Sequence, residues 1–144
     1  VKFMKEKIRE IKHLFMTYRN GAVADSLRQA GITCYRIVFG LNVPQIAEIA
    51  RQNEKSMELA EWLWADNGVR ESRLLASYLF EHESVDMDYA CRLIEELQTS
   101  EEADMLCFRL LKYLDFAPLL VENYEESEQT LSRYCAKVLK RHLS

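Results

Sequence analysis

The stretch that decides the fold runs from Leu59 to Phe80, LAEWLWADNGVRESRLLASYLF. Apolar residues at helical spacing carry one helix from about Ser56 to Trp64, Asn67-Gly68 gives a two-residue turn, and a second helix follows from about Val69 to Glu81. In the second helix Leu74, Leu75, Tyr78 and Leu79 form the apolar stripe, and Glu71 falls on the same side in the first turn. A carboxylate there serves the free N–H groups and the dipole of its own helix, or it contacts a ligand. The helix-turn-helix rhythm returns twice downstream, and that recurrence is the strongest signal in the chain.

The next pair spans Asp86 to Leu97 and about Ser100 to Leu114, with Thr99 and Glu102 spaced as a capping box between them. A last pair follows Pro118: a short helix with Leu119, Leu120 and Val121, then a longer one striped by Leu131, Tyr134, Cys135, Val138 and Leu139 and ending near Leu143. Aligning the second helices puts Ala76, Cys107 and Ala136 at equivalent positions, 31 and 29 residues apart. Small residues at matching points let neighbouring helices approach closely.

Upstream, residues 4 to 18 form an amphipathic helix on Ile8, Ile11, Leu14, Phe15 and Tyr18. A short helix with Val23, Leu27 and Ala30 stops at Gly31. Ile32 to Val43 is irregular yet too apolar for a solvated loop, so it is expected to pack under its neighbours. Pro44 then opens a helix that turns Ile46, Ile49 and Ala50 inward.

The fold class is therefore all-α, a short right-handed α-solenoid of HEAT-like antiparallel helix pairs with about seven to eight helices, whose second helices line one surface. An irregular helical bundle would use the same stripes without regular stacking.

Composition agrees with one globular domain over residues 1–144. The chain is 49% apolar, and its 4 Gly and 2 Pro leave long helical runs intact. The four cysteines show no CxxC pair and the three histidines no metal-ligand spacing, so no metal, no cofactor and a reducing, cytoplasmic compartment are expected. No apolar run approaches the ~18 to 20 residues of a membrane span, and no membrane partner is expected. Val1, which is not a methionine, reads as a cut or altered end.

The net charge of −4 conceals a segregation. Residues 1 to 80 carry a net +3, residues 81 to 128 a net −11, and residues 129 to 144 a net +4. Such an acidic centre disfavours even wrapping of a polyanion, while a local basic stripe still suits phosphates.

Several short pieces, in order, carry a resemblance. They are Phe39-Gly40-Leu41-Asn42-Val43-Pro44, then Leu63-Trp64, then Glu71-Ser72-Arg73-Leu74-Leu75-Ala76, then Ala103-Asp104, and last Ser132-Arg133-Tyr134-Cys135-Ala136. This series resembles the HEAT-like DNA alkylation repair family, the AlkD-like alkylpurine DNA glycosylases, over roughly residues 30 to 140. The resemblance implies stacked helical repeats whose positively charged concave surface holds duplex DNA. It further implies a carboxylate near the sugar that stabilises developing positive charge, tryptophans beside a cationic base, and an arginine on the backbone. By position Asp104 matches the catalytic aspartate and Arg133 the phosphate-binding arginine. Ser100 stands where the family has one tryptophan, and the second tryptophan belongs to a later repeat than Ser144 reaches.

Arg133, Lys137 and Lys140 follow one another at i, i+4 and i+7, and with Arg73 they make the expected DNA-binding set. Taken by themselves, the three basic residues of the last helix are equally ordinary partners of its C-terminal dipole, and Asp104 is equally a solvated charge in a second turn. Trp64 reads as core. Two functions follow: a DNA alkylation repair protein on duplex DNA, with Asp104 as the catalytic residue of any glycosylase activity, or a non-enzymatic helical-repeat adaptor that binds a protein partner, with the acidic middle suited to a basic one.

Overall fold

The computed structural model describes residues 2–144; Val1, and the reading of it as a cut end, lie outside them. Among the described residues there are nine α-helices and no extended strand: α1 (Lys2–Thr17), α2 (Gly21–Gln29), α3 (Val43–Arg51), α4 (Met57–Ala65), α5 (Arg70–Leu79), α6 (Met87–Glu95), α7 (Ser100–Arg109), α8 (Ala117–Tyr124) and α9 (Thr130–Leu143). The chain is all-helical, as expected, and its short helix pairs are compatible with a helical solenoid. It divides into two compact units, Val1–Leu79 and Phe80–Ser144.

In the first unit, polar side chains fix where helices begin. Asn20 accepts from Val23 N at 3.1 Å to start α2, and Ser56 accepts from Leu59 N at 3.2 Å to start α4. At α3 the cap is reciprocal: Asn42 accepts from Gln45 N, and the Gln45 side chain accepts from Asn42 N. Pro44 sits in the first turn, where its missing N–H is no loss.

Helix α5 is the axis of this unit. It packs on α3 and α4, and all ten of its residues are buried, five of them polar or charged: Arg70, Glu71, Ser72, Arg73 and Ser77. Ile46, Ile49, Leu63, Leu74 and Leu75 are fully enclosed around it.

The apolar segment upstream of α3 packs in as expected, with Tyr35, Val38 and Leu41 buried. Ile37 makes an isolated parallel bridge to Val69, donating from its N–H to Gly68 O at 2.9 Å and accepting from Arg70 N at 3.2 Å. Beyond the bridge the backbone has no strand to pair with, and Glu71 takes that role. Its carboxylate accepts from Phe39 N (3.0 Å), Gly40 N (3.0 Å) and Leu41 N (3.3 Å), three consecutive donors. Arg70 balances the charge, donating from Nη1 to Glu71 Oε2 at 2.6 Å and to Leu41 O at 3.0 Å. Glu71 therefore serves a distant loop, and neither its own helix's N–H groups nor a ligand.

Gly40 is required in that loop. Its φ is +88°, and a Cβ there would lie 2.2 Å from Asn20 O, the carbonyl that begins α2.

In the second unit, Asp86 and Thr99 cap α6 and α7 through Tyr89 N and Glu102 N. Helix α7 is shorter than its apolar pattern suggests. It ends at Arg109, and Leu111–Tyr113 continues as a 3-10 turn, because Leu110 leaves the helical region at φ −130° and ψ −62°. Helix α9 packs on α7, α8 and α6. At the α7–α9 contact Cys107 Sγ lies 3.4 Å from Cys135 O and 3.5 Å from Cys135 Sγ, and both thiols are free. Tyr124 ties α8 to α6 through its hydroxyl, which donates to Glu95. No described helix is long and apolar enough to cross a membrane.

The Glu71 cluster sets a stability prediction. Glu71→Ala takes from the buried Arg70 its carboxylate partner and from three backbone N–H groups their acceptor, while Arg70 keeps its bond to Leu41 O. Urea unfolding should show a loss of about 3–5 kcal/mol. A loss below about 1 kcal/mol would mean that the 39–41 loop is held by packing alone.

Candidate nucleic-acid interface

The residues that the sequence marks for function divide between the two units. In the second, Asp104 is exposed in the second turn of α7, and its Oδ1 accepts from the Tyr134 hydroxyl of α9 at 2.7 Å. Tyr134 lines a shallow groove of about 510 Å³ together with Arg133, Lys137, Lys140, Thr130 and Glu125. The phenol thus joins the carboxylate on α7 to the basic stripe on α9.

The stripe is partly tied down. Arg133 Nη1 donates to Ser127 O at 2.7 Å, which fastens it to the turn before α9. Lys140 Nζ pairs with Glu125 at 3.5 Å, with both side chains substantially exposed, so the pair is worth little in water. Lys137 is exposed, and among the described residues it has no ion-pair or hydrogen-bond partner.

Arg73 lies elsewhere. It is 2% exposed, its guanidinium stacks 3.7 Å from the centre of the Trp64 ring, and its Nη1 donates to Trp64 O at 3.0 Å. A guanidinium enclosed in this way cannot reach a phosphate without unpacking α5. The repeat offsets of 31 and 29 residues make Arg73, Asp104 and Arg133 equivalent positions. They diverge because α5 is covered on every side, whereas α7 and α9 each keep one face in water. Trp64 is core, as expected, at 5% exposure.

In the sequence Tyr134 is an apolar stripe residue with no visible link to Asp104. Its place beside Arg133 in the Ser132-Arg133-Tyr134 motif is the one available signal, and that signal does not point to Asp104. Hydrogen bonding to Asp104, with some burial, holds the Tyr134 phenol above its usual pKa of 10.0. It therefore stays a neutral donor at ordinary pH and fixes the carboxylate's orientation. Directly beneath, the Cys107 thiol is pushed far up by its hydrogen bond with Cys135 and by burial, so it is no nucleophile. Among the described residues no three His, Cys, Asp or Glu side chains gather as metal ligands.

An exposed carboxylate oriented by a phenol, beside a solvent-facing basic stripe, can meet a polyanion and stabilise a cation near it. The family model described as DNA alkylation repair enzyme matches residues 11–142, nearly the whole chain. The chain belongs to the DNA alkylation repair enzyme family. No match is found among curated proteins or among solved structures. The match runs through both units, so this family member carries α7 and α9, with Asp104, Arg133 and Tyr134, inside the matched span.

The raised Tyr134 pKa gives a pH prediction. A proton held more tightly in the folded state stabilises the fold fully below the phenol's unfolded pKa, and that contribution is lost as pH rises through the higher folded value. In a spectrophotometric alkaline titration, the phenol missing from Tyr134→Phe should be one that titrates above 10.0. Asp104→Asn should lower it toward that value.

Proposed function

We propose that this family member engages duplex DNA through the α9 stripe of Arg133, Lys137 and Lys140, with Asp104 presented to a cationic alkylated purine nucleotide. The observation that carries the reading is the Asp104–Tyr134 hydrogen bond, because Tyr134 shares its groove with all three basic residues. Phosphate contacts would come from the stripe, releasing counterions. When the bond between a cationic base and the sugar C1′ breaks, the base leaves neutral and the positive charge passes to the sugar. A fixed carboxylate stabilises that charge, water adds at C1′, and a proton is released.

A second reading is a helical-repeat adaptor that binds protein and performs no chemistry. Two features favour it: Ser100 occupies the place of an aromatic wall, and Glu125 puts a carboxylate into the basic groove.

A fluorescent duplex, with and without a cationic alkylated purine, separates the two across a salt series. Lys137→Ala should weaken duplex binding uniformly and lower the salt slope by about 1. Asp104→Asn should keep binding and abolish base release. Absence of salt-dependent duplex binding by the wild type would favour the adaptor.

A further inference from the structure

One turn beyond Asp104 on the same face of α7 stands Phe108, a large apolar side chain that is 43% exposed. It is the centre of a row of rings and cations that the groove above does not use. The His142 ring lies 5.8 Å from it on one side. Lys112 Nζ sits 4.1 Å from the centre of Phe108 and 5.1 Å from that of Tyr113, which is 56% exposed. Arg109 approaches Phe108 at 4.8 Å, and the His82 ring lies 6.2 Å from Tyr113. The row therefore runs His142, Phe108, Lys112, Tyr113, His82, with its far end closed by Glu83, which pairs with His82.

Packing alone does not account for this row. A lysine lying over aromatic faces shields them only in part, and both rings stay substantially exposed within the most acidic third of the chain. Exposed π-faces alternating with cations suit a ligand that itself alternates flat rings with anions. A nucleic-acid strand with unpaired bases has that pattern, since every base offers a face to stack and every linkage a phosphate for Lys112 or Arg109. An acidic peptide would match the cations but leave the rings without stacking partners.

We propose that the Phe108–Lys112–Tyr113 ridge binds unpaired bases of single-stranded nucleic acid. The proposal extends the duplex-binding reading but does not need it, because the ridge uses none of Arg133, Lys137 or Lys140.

The test is binding of the full chain to a fluorescent oligothymidylate, with the duplex and an oligoglutamate peptide in parallel. Phe108→Leu/Tyr113→Leu keeps apolar volume and removes the stacking faces, and its far-ultraviolet circular dichroism checks folding. The double variant should bind oligothymidylate at least about fivefold more weakly, the lower bound for one lost base stack, with duplex binding unchanged. Phe108→Tyr, which keeps the face, should bind like the wild type. The proposal is overturned if the wild type does not bind oligothymidylate, if the leucine variant binds it undiminished, or if the peptide alone is held. Oligothymidylate binding without duplex binding would uphold the ridge while defeating the reading of the α9 stripe.

Discussion

The carboxylate of Glu71 accepts from three consecutive backbone N–H groups, and the first unit depends on that contact. The segment before α3 is too apolar to stay in water, yet burying it takes backbone donors away from water. One bridge at Ile37 and Val69 satisfies only the start of the segment. A single two-oxygen acceptor, placed where Gly40 turns its φ positive, satisfies the rest. Burying that charge would be unfavourable alone. Arg70 compensates it and returns to Leu41 O, so the donors, the acceptor and the counter-charge all close within one turn of α5.

Most of the polar residues that α5 buries have internal partners, while Ser77 Oγ is enclosed with no hydrogen-bond partner. Ser72 donates to Asp66, which also receives Lys12, and Arg73 lies on Trp64. A desolvated cation over a tryptophan face contributes about 2 kcal/mol, a substantial share of the marginal stability of any domain.

The second unit follows different physics. Its α7–α9 contact is made close by sulfur, Thr99, Glu102 and Ser132 are its buried polar residues, and at its rim Tyr134 reaches Asp104 and Tyr124 reaches Glu95. The strongly acidic stretch from 81 to 128 leaves positive charge to gather on α9, whose residues include no carboxylate. A polyanion approaching this unit therefore meets a narrow basic stripe with carboxylates around it. Few contacts of that kind give modest affinity and a shallow salt dependence.

The sequence by itself determined the helices and the family, whereas α7 packs chiefly on α9 and not on α6, the neighbour its spacing suggests. Apolar periodicity, caps such as Ser56 and Thr99, and the recurrence of small residues at 76, 107 and 136 are all local or periodic, and such signals survive without coordinates. Asp104 and Arg133 each lie within a few residues of a periodic landmark, so their helices, α7 and α9, follow from the pattern. Tertiary structure alone decided which charges face water. Arg73 and Arg133 occupy equivalent repeat positions and have the same chemistry, yet one is enclosed and the other is solvated. The difference comes from what packs over each helix. Contacts between residues 30 or more apart, Glu71 with Gly40 and Tyr134 with Asp104, leave no period in the chain, so only the folded geometry could bring them together.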